Sequence, residues 1–110
     1  MHALTEFRKK INDLDHKLVA ILAKRLDICR EVAIYKLGNS VPVMQPNRVL
    51  EVKRRNSEIG RDLGLNPEFV MELYDLVIKE ACRLEEVAIS QAQNGRPLDE
   101  SAANNARGRE

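Results

Sequence analysis

Arg25 stands where the surrounding pattern calls for an apolar side chain. Apolar residues recur at Leu4, Phe7, Ile11, Leu14, Leu18 and Ile21, in alternating steps of three and four. The next step lands on Arg25, and the pattern resumes at Ile28, Val32 and Tyr35. A guanidinium in such a seam is either a snorkelling or ion-paired side chain at an interface or a desolvated fork awaiting a carboxylate or phosphate. Lys36 follows eleven residues later. That is three helical turns, so it shares a face with Arg25 at an axial separation of about 16 Å. Leaning toward each other, the two side chains can hold one small anion. A solvated lysine at a helix end fits the same position.

Arg8 raises a problem of reach. Along the same helix it lies about 26 Å from Arg25 and about 42 Å from Lys36, so one small ligand cannot touch all three within one chain. Arg8 is either a surface cation or, in an antiparallel or offset dimer, a group that reaches the partner's site. Glu85 falls four residues after Ala81, at the edge of another apolar seam. It is either a surface carboxylate or a partly buried carboxyl that can stay protonated and donate a hydrogen bond, since burial opposes ionisation. Lys53, Arg54 and Arg55 splay over about 200° of a helix, which makes a solvated face rather than a nucleic-acid stripe. Cys29 and Cys82 belong to no metal-spaced cluster and read as reduced packing thiols.

Helices must position these groups. Nothing breaks the first helix between Leu4 and Lys36, and Leu37-Gly38-Asn39 offers a glycine for the left-handed residue that ends it. Asn39 to Pro46 forms a loop stiffened by Pro42 and Pro46. A second helix is expected from about Asn47 to Leu63, with Val49, Val52, Ile59 and Leu63 on its apolar face and Gly64 as its stop. The third opens with Asn66 as N-cap, Pro67 as first residue and Glu68 against the helix dipole. Val70, Leu73, Val77, Ala81, Leu84 and Ala88 form its seam, which fades near Gln93 to Gly95. The sequence predicts one helical domain over residues 1–93 and a disordered tail over 94–110.

Composition narrows the class. The chain of 110 residues can build one small core. It is 44% hydrophobic but 4% aromatic, the balance of a helical bundle. A net charge of +1 points to neither nucleic acid nor membrane as partner, so an anion site must come from local placement of cations. With no apolar signal segment and no spanning run, the chain reads as soluble and cytoplasmic. The first seam cannot bury itself, and a helix this long in a short chain invites a partner chain.

The arrangement Phe7-Arg8-Lys9-Lys10-Ile11, Leu14-Asp15, Leu22-Ala23-Lys24-Arg25, Ala33-Ile34-Tyr35-Lys36, then Pro42-Val43 and Arg48 resembles the all-helical chorismate mutases over about residues 4–90. The resemblance implies an all-α, three-helix protomer in an intertwined homodimer with two active sites. It makes Arg8 a carboxylate clamp donated to the partner's site, Arg25 the second clamp, and Lys36 the cation at the substrate's ether oxygen. Arg48 becomes a further lining cation, and Ala81 takes a position often held by Ser. Glu85 matches a Gln or Glu that donates to the ether oxygen. The implied substrate is a small dicarboxylate, and the Claisen-type rearrangement of chorismate to prephenate needs neither metal nor cofactor. Only positioning and stabilisation of charge on the breaking ether oxygen are required.

Two positions depart from that pattern. Val49 stands where an acidic residue often binds the C4 hydroxyl, and Gln45 where the loop often carries Asp. The segments from Val43 to Val49 and from Ala81 to Glu85 also resemble mutases of 4-amino-4-deoxychorismate. Isochorismate-pyruvate lyase is a third relative, against which Glu85 argues because that enzyme has Gln there. A helical dimerisation module with Arg25 setting register is the reading from another class.

Overall fold

The computed structural model describes residues 2–95. It contains three α-helices: α1 (His2–Gly38), α2 (Pro46–Asp62) and α3 (Pro67–Gln93). No strand occurs among the described residues, so the chain is all-α. Asn94 and Gly95 form a turn that closes α3. The rest of the expected disordered tail, residues 96–110, lies outside the described residues.

The helix ends differ in an instructive way. α2 ends as expected: Gly64 has φ +88°, its N–H donates to Arg61 O at 3.0 Å, and Leu65 N–H reaches back to Gly60 O at 2.8 Å. That pair of bonds satisfies the last free carbonyls of the helix. At the end of α1 the left-handed residue is Ser40 (φ 56°), not Gly38, which is helical. Val41 N–H donates to Lys36 O at 2.8 Å and Ser40 N–H to Leu37 O at 3.4 Å, the same motif two residues later than expected. α3 starts where its sequence says, with the Asn66 side chain accepting from Glu68 N–H at 2.9 Å.

α1 and α2 each pack on α3. Arg25 lies over Tyr74 and Lys36 meets Glu85, so α1 and α3 run in the same direction, each advancing by eleven residues. Gly60 faces Val70 and Lys53 pairs with Asp75 at 2.5 Å, so α2 runs the opposite way. That ion pair draws Lys53 out of the solvated face expected for it, while Arg54 and Arg55 remain exposed. The core consists of Ala33, Val52, Val70, Ala81, Leu84 and Ala88, with Ser57 and Glu85 buried beside them. The expected apolar face of α2 is corrected in part: Ile59 and Leu63 are exposed, while Ser57 and Gly60 turn inward. Close approach decides this, because a Cβ on Gly60 would sit 2.7 Å from Val70 Cγ2.

The molecule measures 56 × 33 × 17 Å. At about 1.5 Å per residue α1 accounts for the longest dimension. Every residue from 2 to 21 is exposed. No helix of the described residues is long and apolar enough to cross a membrane.

Candidate active site

A cavity of about 320 Å³ opens between the C-terminal half of α1, the loop before α2, the start of α2 and the middle of α3. Seven of the residues singled out from the sequence line it: Arg25, Lys36, Gln45, Arg48, Val49, Ala81 and Glu85. Arg8 does not. It sits in the exposed half of α1, about 26 Å along the helix from Arg25.

Helical periodicity explains the convergence. Arg25, Cys29, Val32 and Lys36 follow one another at four, three and four residues and present one stripe to the cavity. Ile78, Ala81, Cys82 and Glu85, at steps of three, one and three, line it from α3. The small side chain of Ala81 leaves room between the stripes. Pro46 at the first position of α2 sets the loop–helix junction, which brings Arg48, Val49 and Val52 to the third wall. Arg48 reaches the rim, largely exposed and paired with Glu51.

Lys36 is fixed at the inner end. Its Nζ donates to Val43 O at 2.9 Å and meets Glu85 Oε1 at 3.5 Å. The Glu85 side chain is 9% exposed and that of Lys36 is 17% exposed. An ammonium that has given up most of its water and stands beside a carboxyl group is a preorganised donor for a ligand oxygen. At the outer end Gln45 Nε2 donates to Pro42 O at 3.3 Å, which leaves the amide oxygen as the free end of that side chain.

Arg25 is held differently. Its guanidinium lies 5.7 Å from the centre of the Tyr74 ring, and its Nη1 approaches Cys29 Sγ at 3.8 Å. Both cysteines are free thiols in the cavity wall rather than packing in a core. Burial pushes the Cys29 thiol above the ordinary thiol range, with Arg25 opposing. Burial raises Cys82 likewise, with Glu85 adding to the effect. Two neutral thiols beside fixed cations are poor nucleophiles. No group of acidic, His or Cys side chains among the described residues is arranged to hold a metal.

The sequence reading missed three contributors: the Val43 carbonyl, Tyr74 and the thiol wall. Backbone carbonyls carry no residue-type signal, and Tyr74 meets Arg25 from a helix 49 residues on.

The arrangement can bind a small anion bearing more than one acidic group and place donors at an oxygen between them. Residues 7–86 match the profile of the family described as chorismate mutase type II. A 4-amino-4-deoxychorismate mutase of Streptomyces pristinaespiralis is 35% identical over 96% of this chain and 81% of its own length. A protein of the same name from Streptomyces venezuelae is 38% identical over 80% of this chain and 85% of its own. A chorismate mutase of Methanocaldococcus jannaschii is 23% identical over 83% of this chain and 92% of its own.

Proposed function

The chain belongs to the chorismate mutase type II family, and we propose that it rearranges a chorismate-type dicarboxylate, an enolpyruvyl ether, to the corresponding prephenate. The carrying observation is the cavity, where Arg25, Lys36 and Arg48 converge with buried Glu85 on a space of about 320 Å³, the size of a small-molecule site. In a Claisen-type shift the bond between the ether oxygen and the ring breaks as a carbon–carbon bond forms, and no proton leaves the substrate. Catalysis then consists of holding the compact conformer and stabilising the charge that grows on the ether oxygen. Arg25 and Arg48 serve the first task as carboxylate forks. Lys36 serves the second, with the buried Glu85 side chain beside it at 3.5 Å.

The working unit is a homodimer in which Arg8 serves the partner's site. Two observations support this. Leu4, Phe7, Ile11, Leu14 and Leu18 are all about half exposed or more in the protomer. Arg8 lies on the same uncovered stretch.

A second substrate, 4-amino-4-deoxychorismate, is favoured by the two Streptomyces relatives of that name. Val49 offers the C4 end no hydrogen bond from its side chain. The free amide oxygen of Gln45 can accept from an amine or a hydroxyl.

The deciding experiment offers chorismate, its 4-amino-4-deoxy analogue and isochorismate in parallel and identifies the products. Prephenate or its 4-amino analogue is the expected product. Pyruvate released from isochorismate, with no rearrangement of the other two, would overturn the proposal. Glu85→Gln, a permanent donor of nearly the same shape, should keep substantial activity, and Glu85→Ala should lose it. If the Gln variant is inactive, the ionised carboxylate is the working form.

A further inference from the structure

Of the three cations lining the cavity, Lys36 and Arg48 each have an acidic partner within ion-pair distance, Glu85 and Glu51. Arg25 has none among the described residues. Its contacts are the Tyr74 ring and the Cys29 sulfur. Resting on the mutase reading, we propose that Tyr74 is a positioning residue for substrate binding: with Cys29 it holds the Arg25 guanidinium through neutral contacts, leaving that charge free for a substrate carboxylate.

The physical argument concerns what a clamp must not do. Arg25 is partly buried, and a partly desolvated charge needs partners, because an isolated charge in an apolar setting is costly. A carboxylate would satisfy it, but the incoming substrate would then have to displace that carboxylate and bear the loss of the pair. An aromatic face attracts the cation through its quadrupole and leaves the planar edge, with its N–H donors, open. A thiol takes one weak hydrogen bond, and the burial that keeps Cys29 protonated keeps the arrangement neutral. Tyr74 does not line the cavity, so it acts through Arg25. Its location on α3 also ties the clamp to the helix that carries Glu85, which fixes the distance between the two ends of the site.

The test compares KM and kcat on whichever mutase substrate the wild type turns over. Tyr74→Leu removes the ring and keeps apolar bulk. It should raise KM roughly tenfold, the worth of a partly desolvated cation–π contact, with kcat changed less than about threefold. Tyr74→Phe should recover most of that loss, because the ring face and not the hydroxyl carries the contact. Cys29→Asp puts a carboxylate one helical turn from Arg25, and its KM should exceed that of near-isosteric Cys29→Asn by tenfold or more. Thermal melting of each variant keeps a folding defect from passing as a binding one.

An unmoved KM in folded Tyr74→Leu, a Phe variant as impaired as Leu, or equal KM for the Asp and Asn variants would each overturn the inference while the mutase reading stands. No turnover by the wild type would overturn both.

Discussion

Two halves of one helix behave as if they belonged to different proteins. From residue 2 to 21 every side chain of α1 is exposed, including Phe7 at 59% and Leu14 at 62%. From Leu22 onward the same helix turns Arg25, Cys29, Ala33 and Lys36 toward α3 and the cavity, and Ala33 is fully buried. The apolar spacing runs through both halves, broken at Arg25, so helix propensity does not distinguish them. The partner does. α3 begins at Pro67, and with Arg25 opposite Tyr74 it reaches back no further than about Leu18, which leaves most of the first half uncovered. Leu4, Phe7, Ile11, Leu14, Leu18 and Ile21 then leave apolar surface whose burial would stabilise an assembly by on the order of 10 kcal/mol. The protomer builds a site with one half and holds out the other, with Arg8 on it.

The largest effects should come from splitting the site between chains. Lys36→Ala should lower kcat about 10²–10³-fold, the loss of a preorganised donor at a developing charge. Arg8→Ala should be comparably damaging despite its distance from the cavity. Mixing the two variants tests the division directly. With free exchange half the dimers are mixed, and each has one intact site, so about a quarter of wild-type activity should return. No recovery after exchange has been demonstrated by mass would break the assignment of the first half of α1 to the partner.

A second test acts on stability. Leu14→Lys at a position 62% exposed in the protomer should change a monomer's stability by no more than about 0.5 kcal/mol. If the first half of α1 is covered by a second chain, the same change buries a charge and should cost several kcal/mol. Sedimentation at micromolar concentration and denaturant melts distinguish the cases. A variant that melts and sediments like the wild type would show that this half is solvated in solution as well.

The same contrast explains what was legible in the sequence. The exposed seam was legible because period and residue type are local signals. Arg25 and Lys36 were legible as a pair because three helical turns fix their common face. Gln45, Arg48 and Val49 reach the cavity wall only through the loop geometry around Pro46, and it was the family pattern that marked them. Tyr74 was not legible, since no local pattern tells which α3 residue will lie over which α1 residue. On α2, hydropathy pointed to Ile59 and Leu63, whereas backbone proximity chose Gly60. A glycine has no apolar signal, yet it permits the closest helix approach.

That approach gives the third prediction. Gly60→Ala must push its Cβ against Val70 Cγ2, 2.7 Å away. Val70 is buried and β-branched, with little freedom to turn aside. The cost should be about 1–3 kcal/mol, as for other overpacked contacts. Activity per folded molecule should persist, because Gly60 is remote from the cavity wall. A neutral or stabilising result by denaturant melt would mean that α2 and α3 pack less closely than described.

The smallest effects lie at the end of α1, where two substitutions carry opposite signs under the two possible caps. If Gly38 were the left-handed residue, as its position suggests, Gly38→Ala would cost about 1–2 kcal/mol. In the structure Gly38 is helical and a Cβ there would meet nothing within 4 Å. Gly38→Ala should therefore stabilise by about 0.5–1 kcal/mol, the usual gain of Ala over Gly inside a helix. Ser40 carries the positive φ of 56°, a strain that glycine relieves, so Ser40→Gly should stabilise by up to about 1 kcal/mol, less the entropy glycine adds to the unfolded chain. The outcome bears on the site as well as the cap. Lys36 O accepts from Val41 N–H and Lys36 Nζ donates to Val43 O, so the turn at Ser40 fixes the loop that holds Lys36. Ser40→Pro, which cannot adopt positive φ, should release that loop and lower kcat, while Ser40→Gly leaves kcat near wild type. Destabilisation by both Gly38→Ala and Ser40→Gly would return the left-handed residue to Gly38.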